Sequence, residues 1–294
     1  MATIAVTGAS GKLGSATIRF LLERKVAPAS IIAIVRDPAK VMPLAAQGVE
    51  IRRGNYNDPA SLENALRGVD RLAFISTSAL GDERLLHHGN LVKAARLARI
   101  GHIFYTSVIK PAAQAKFAAS PGHFLTEQMI LDSGLAHTLF RNNLYMDLVP
   151  LMFGGALATG TLAHNGGDGR IGFIAREDIA AALAAVLTSE GHAGRAYAIT
   201  APRPYGLADV AAALGKASGT RVVYEALTSE EFRTRLSATP IPPAIVDMTV
   251  ALGEAMRAGE FDAGSNDCAR LLGREPVTLD AFLAHARDTK QVAS

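Results

Sequence analysis

The sequence predicts an α/β protein, built on a doubly wound parallel sheet with a smaller, mostly helical C-terminal domain. Three observations predict it. Short apolar runs alternate with amphipathic stretches through the first half of the chain, the rhythm of strand–helix–strand units. Those runs are apolar on both faces, as strands covered by helices on two sides must be. The first run passes directly into Gly8-x-x-Gly11-x-x-Gly14 and then into a helical pattern.

Residues 3–6, 31–35, 49–52, 71–75, 102–105 and 136–140 read as strands, and residues 14–24, 38–47, 59–66, 84–99 and 121–132 as the helices between them. Asp58-Pro59 and Ser120-Pro121 each set a capping side chain ahead of a proline suited to the first helical turn. Beyond about residue 150 the rhythm changes. Glycines crowd residues 154–169, a strong helix follows over 176–187, a strand over 195–200, and the last ninety residues read as mostly helical. Residues 258–267 look like an exposed loop. The expected organisation is a dinucleotide-binding domain over 1–150 and a smaller substrate-binding cap over 151–294 that returns some segments to the sheet.

Composition narrows the function classes. With 294 residues, 49% hydrophobic and 19% charged, the chain is an ordinary globular sequence rather than a disordered one. The net charge of +3 is scattered, with no basic run and no basic stretch interleaved with aromatics, so nucleic acid is not the expected partner. Cys268 is the single cysteine, which rules out an internal disulfide and favours a reducing cytoplasm. No apolar run approaches the roughly 20 residues that span a bilayer, and residues 3–6 are too short for a signal-peptide core. The expectation is a soluble cytoplasmic protein; a homodimer is left open.

Each glycine of the triplet has a physical task. Gly8 permits the tight turn out of the strand, Gly11 lets backbone amides approach a pyrophosphate, and Gly14 lets helix and strand pack closely. The helix N-terminus then offers free N–H groups and the positive end of its dipole to phosphate. Gly8, Ser10, Gly11, Lys12, Leu13 and Gly14 are therefore the candidate phosphate loop. At the tip of the second strand, where an acidic residue would bind the ribose 2′-hydroxyl of NAD, this sequence has Arg36, suited to a 2′-phosphate. Asp37 reads as a cap for the following helix. NADP(H) is the expected cofactor. Ser76, Thr77 and Ser78 end the fourth strand and Thr106 and Ser107 the fifth; their hydroxyls either face the ribose and nicotinamide or cap the turns that follow.

Ala5-Val6-Thr7-Gly8-Ala9-Ser10-Gly11-Lys12-Leu13-Gly14, Ile34-Val35-Arg36-Asp37-Pro38-Ala39-Lys40, Tyr105-Thr106-Ser107, His123-x-x-Thr126-Glu127, Phe140-Arg141-Asn142-Asn143-Leu144-Tyr145 and Arg176-x-Asp178-Ile179-Ala180 together resemble the NmrA-like branch of atypical short-chain dehydrogenases. Within it, the chain is most similar to a group of bacterial NADPH:quinone oxidoreductases and triphenylmethane reductases. The resemblance runs over nearly the whole chain, to Arg270-Leu271-Leu272-Gly273. It implies a Rossmann domain with a smaller C-terminal domain, NADPH in the crevice, and hydride transfer to a flat conjugated acceptor. It also implies that Asn142, Asn143 and Tyr145 lie along the nicotinamide. Residues 108–122 match nothing in that pattern and are the place for a substrate preference of this chain's own.

Most short-chain dehydrogenases use Tyr-x-x-x-Lys to protonate a carbonyl oxygen, yet none of the six tyrosines here has a lysine four residues later. The corresponding helix carries His123 and Glu127 on one face. His123, in the first turn, should be held neutral by the helix dipole. It then either polarises an acceptor oxygen or completes a hydrogen-bond network; Lys110 is a weaker acid candidate. A missing strong acid leans toward a quinone or dye, whose conjugated system stabilises the incoming charge, so that placement carries the reaction. A ketone reductase and a non-catalytic NADP-sensing regulator are the alternatives. Neither His87-His88 nor the other histidines have ligand spacing, so no metal is expected, and Asp178 reads as capping or orienting its helix.

Overall fold

Side chains alternate along the inner strands of the central sheet, and both sets are largely apolar, so helices pack on both faces. The computed structural model describes residues 2–288. In its first half β1 (Ile4–Thr7), α1 (Lys12–Glu23), β2 (Ile31–Val35), α2 (Met42–Ala45), β3 (Glu50–Arg53), α3 (Pro59–Ala65), β4 (Arg71–Phe74), α4 (Gly81–Leu97), β5 (His102–Val108), α5 (Ser120–Asp132) and β6 (His137–Asn142) follow in turn. The second half contains α6 (Val149–Phe153), α7 (Ala156–Thr159), β7 (Thr161–His164), β8 (Arg170–Ile171), α8 (Arg176–Leu187), β9 (Arg195–Ile199), β10 (Tyr205–Gly206), α9 (Leu207–Ser218), β11 (Val223–Ala226), α10 (Ser229–Ser237), α11 (Pro243–Arg257), α12 (Asp267–Leu272) and α13 (Leu279–Asp288).

Seven strands form one parallel sheet in the order β3-β2-β1-β4-β5-β6-β9. On one face Ile4, Val6, Ala33, Val35, Phe104 and Phe140 meet α1 and α8. On the other Ala5, Ile32, Ile34, Phe74, Ile103 and Leu139 meet α3 and α4. The reversal of strand order between β1 and β4 opens the crevice where ligands of such sheets sit. The second half thus supplies a strand and a covering helix to the sheet. It also builds its own core, in which Phe153, Leu162, Ile171, Phe173, Val210, Leu214, Met256, Phe261 and Leu283 are buried. Here β7 pairs in parallel with β11, and β8 antiparallel with β10.

Several local expectations are corrected. The helix expected over 38–47 is a 3₁₀ turn at Pro38–Val41 followed by the single turn of α2, because Pro43 has no N–H to continue an α-helical ladder. The serine cap before Pro121 is absent. Ala119 is the N-cap residue, and the Ser120 hydroxyl instead accepts from the Ala112 N–H at 3.0 Å. Asp178 caps nothing: fully buried, it accepts from Arg274 (2.7 Å) and from the Val277 N–H (2.7 Å), tying the C-terminal segment to α8. Residues 258–267 do form a loop, but Phe261 within it is 1% exposed and anchors the second core. Asp58 and Asp37 cap as read, accepting from the Ser61 and Ala39 N–H groups.

Gly172 is packed closely between Thr200, Ala263 and Asn143. A Cβ there would overlap Thr200 Oγ1 and lie 2.5 Å from the Ala263 carbonyl and 2.7 Å from Asn143 Nδ2. Gly172→Ala should therefore lower the unfolding free energy by about 1–3 kcal/mol, the usual range for overpacking; a urea midpoint equal to that of the parent would contradict this packing.

Candidate active site

The turn after β1 is shaped by its own backbone. Gly8 takes a left-handed φ of +60°, a region open to glycine at little cost, and its carbonyl accepts from the Gly11 N–H at 2.9 Å. Gly11 then serves as an extended N-cap with no side-chain cap bond, and the first turn of α1 carries no acidic residue. The leading N–H groups of α1 are left for an anion. A Cβ on Gly14 would run into the Gly8 carbonyl, so only glycine lets α1 start this close to the sheet. Gly8, Ser10, Gly11 and Lys12 are exposed, whereas the Leu13 side chain is buried in the core and only its backbone faces outward chemistry.

At the tip of β2, Arg36 is exposed, and among the described residues its guanidinium has no ion-pair or hydrogen-bond partner. Asp37 is engaged as a cap and accepts from the Ala39 N–H at 3.1 Å. Arg53 pairs in register with Val35, one residue from Arg36, and is also exposed. Sequence reasoning missed Arg53; the strand register alone brings it there.

The hydroxyls at the ends of β4 and β5 divide into two kinds. Thr106 Oγ1 accepts from the Ser76 N–H (2.9 Å), and the Thr77 N–H donates to His88 Nε2 (3.1 Å), so these residues hold the chain in place. Ser78 is exposed. Ser107 Oγ is buried without a partner. The Asn142 amide at the end of β6 is likewise buried; it lies beside the Tyr145 hydroxyl but makes no hydrogen bond of normal geometry. Buried polar atoms are nearly always paired, which sets Ser107 and Asn142 apart from the hydroxyls around them. Asn143, by contrast, is satisfied internally: it donates to Thr200 Oγ1 (3.1 Å) and the Phe261 carbonyl (2.9 Å) and accepts from the Leu144 N–H. Tyr145 is half-buried, with the Arg176 guanidinium 5.3 Å from its ring centre.

His123 and its neighbours form a closed network. Arg84 is 4% exposed, has no carboxylate partner among the described residues, and donates to the Ala79 carbonyl (2.8 Å) and to His123 Nε2 (2.6 Å). Arginine can only donate, so His123 carries its proton on Nδ1 and donates it to the Tyr105 hydroxyl at 2.7 Å. Burial, with Arg84 and His88 adding to it, holds the His123 pKa well below its ordinary value. Burial likewise lowers the Arg84 pKa. Glu127, 3% exposed, is taken by Arg141 at 2.7 and 3.1 Å rather than by His123. Lys110 adopts a left-handed φ of +45°, and its Nζ donates to the carbonyls of Gly259 (3.0 Å) and Asp262 (2.6 Å). Both His123 nitrogens are engaged, and Lys110 commits two of its three N–H donors to backbone carbonyls.

Among the described residues no group of three or more His, Cys, Asp and Glu could hold a metal ion, and no helix is long and apolar enough to cross a membrane. The sheet order, the self-bonded glycine turn and the uncapped helix define a Rossmann-type dinucleotide-binding protein. The chain belongs to the NmrA-like family, whose model matches residues 1–283. It is 38% identical to quinone oxidoreductase 2 of Escherichia coli (strain K12) over 284 residues, 96% of this chain and 98% of that one. It is 32% identical to an NAD(P)H azoreductase of Xenophilus azovorans, again over 96% and 98% of the two chains. The crystal structure of the Citrobacter sp. triphenylmethane reductase complexed with NADP(H) superposes with a TM-score of 0.89 at 36% identity, covering 96% of this chain and 99% of that one.

The buried histidines make stability depend on pH. His88, fully buried, accepts from the Thr77 N–H and is pushed down to about 3, chiefly by burial and then by Arg84 and His87. The unfolded chain binds a proton near 6.5 that the folded chain excludes, so stability is full above about 6.5 and falls as pH drops from there toward about 3. Urea midpoints should decline more steeply between neutral and mildly acid pH in the parent than in His88→Gln. Parallel declines would remove His88 as a cause.

Proposed function

We propose that this protein is an NADPH-dependent oxidoreductase that transfers hydride to a quinone or a similarly conjugated carbonyl or dye. The observation that carries the reading is the unpartnered Arg36 guanidinium beside an uncapped helix start free of acidic residues. That arrangement suits a pyrophosphate and an additional 2′-phosphate. Backbone N–H groups at residues 12–14 would hold the pyrophosphate, Arg36 with Arg53 the 2′-phosphate, and Ser107 with Asn142 polar groups toward the nicotinamide end. When bound, NADPH supplies the hydride.

The chain's own groups then have to hold the acceptor and keep water out. With both His123 nitrogens engaged by protein partners and Lys110 anchored by two of its three donors to the Gly259 and Asp262 carbonyls, the arrangement favours an acceptor that delocalises the incoming charge over one that needs a strong acid. Placing donor and acceptor carbons roughly 3–3.5 Å apart in a dry pocket is the larger part of such a reaction. The relatives named as quinone, azo and triphenylmethane reductases support the same class of acceptor. A ketone would require a donor positioned at its oxygen.

The direct test follows NADPH absorbance with menadione, benzoquinone, an azo dye and a triphenylmethane dye. Acceptor-dependent oxidation is expected with at least one. Tight NADPH binding without oxidation of any of them would make the protein a cofactor-sensing regulator instead. Arg36→Ala should raise the KM for NADPH by roughly tenfold or more and leave that for NADH within about twofold, the signature of a lost 2′-phosphate contact. In Ser107→Ala no protein–protein hydrogen bond is lost, so the ligand-free protein should melt no lower than the parent while its NADPH affinity falls; a drop in Tm with unchanged affinity would assign Ser107 to the core.

A further inference from the structure

Residues 110–119 leave the carboxyl end of β5 and return to the chain at Ser120, where the Ala112 N–H donates to the Ser120 hydroxyl. Between those ends the segment has no helix or strand, so its backbone N–H groups must find partners elsewhere. Two consecutive ones, of Lys116 and Phe117, both donate to the Glu260 carboxylate, at 2.7 and 3.0 Å. These are charge-assisted bonds, the stronger kind, and they join positions 143 and 144 residues apart. Three further contacts run the same way. Lys110 Nζ donates to the Gly259 and Asp262 carbonyls, Lys116 Nζ lies 3.6 Å from Glu254, and the Phe117 ring packs edge-on against the buried Phe261 at 5.2 Å.

The segment therefore spans from the sheet to the second core, and where it starts matters. Ser107, with its buried unpartnered hydroxyl, lies three residues before Lys110. The glycine turn follows β1, which β4 separates from β5 in the sheet. The spanning segment thus rises from the crevice beside the expected nicotinamide end and away from the phosphate end. We propose that Glu260 is a positioning residue that latches residues 110–119 over the acceptor side of the crevice and thereby sets acceptor affinity rather than cofactor affinity. This rests on the reductase reading above. Glu260 need touch neither substrate nor cofactor. It fixes the wall that the acceptor meets.

The test uses the full-length protein. Trypsin cleaves after exposed Lys116, at the peptide bond whose N–H is held by Glu260. In Glu260→Ala, cleavage there, mapped by mass spectrometry, should be roughly fivefold faster or more, since local opening controls access. The KM for menadione should rise by roughly fivefold or more while the NADPH Kd, read by its fluorescence, stays within about twofold. Glu260→Gln keeps one acceptor oxygen, should fall between parent and alanine variant in both readouts, and replaces the alanine variant if that one fails to fold. An unchanged cleavage rate overturns the latch. Faster cleavage with an unchanged menadione KM, or a parallel loss of NADPH affinity, overturns its role toward the acceptor. If the parent fails to oxidise NADPH with any of the acceptors, the reductase reading fails, and the cleavage comparison still decides whether Glu260 holds the segment.

Discussion

Everything at this site follows from how closely α1 can approach the strand it leaves. The Gly8 carbonyl sits where a side chain at residue 14 would have to go, so the contact is backbone on backbone. That closeness places the free N–H groups of α1 at the carboxyl end of β1, beside the point where strand order reverses. It also sets the depth at which α8 can pack on α1, where Arg19 pairs with Glu177 and Arg24 donates to Thr188 at 2.9 Å. Phosphate-ready geometry and the packing of the second half on the sheet are consequences of the same missing methyl groups.

The electrostatics are one-sided for a physical reason. Around the turn, the exposed groups are Lys12, Arg36 and Arg53, and the nearest carboxylate, Asp37, is committed to capping. Deeper in, Arg84 is buried against neutral acceptors rather than a carboxylate. Burial first, and then the nearby Arg84 cation, which disfavours a second positive charge, keep His123 and His88 neutral. The network fixes the tautomers of both rings and, through the Ala79 carbonyl and the Thr77 N–H, the path of the chain after β4. The hydrogen bonds from Arg84 to the Ala79 carbonyl and His123 offset part of the cost of its desolvation.

What could be read from residues alone was whatever rests on local signals. Apolar runs located six strands of the sheet, and Asp58-Pro59 located a helix start. The same reading cut β5 and β6 short. Thr106, Ser107, Arg141 and Asn142 are polar, yet they continue the hydrogen-bonded ladder, with Ser107 opposite Arg141 and Val108 opposite Asn142. Hydrophobicity marks where a strand is covered, not where its pairing ends. Non-local facts were out of reach: β7 meets β11 across some sixty residues of sequence, with Ala226 opposite His164. His123 could be placed on a helix face with Glu127, but not given Arg84, 39 positions earlier, as its partner. The same holds for Arg53 beside Arg36, and for Glu260 under the segment that no family pattern explained.

One feature of the sheet bears on how the molecule comes into being. Its last strand is β9, and α8 covers the apolar face of α1. On a ribosome the glycine turn emerges first, yet Ile18 and Leu21 remain bare on one side and β6 ends the sheet as an open edge until residues 176–199 have followed. A growing chain at that stage presents a greasy helix and an unpaired strand, the two features that most invite association with other nascent chains. Completion of the fold is therefore late and nearly all at once, and a fragment truncated before Arg176 would inherit that vulnerability permanently.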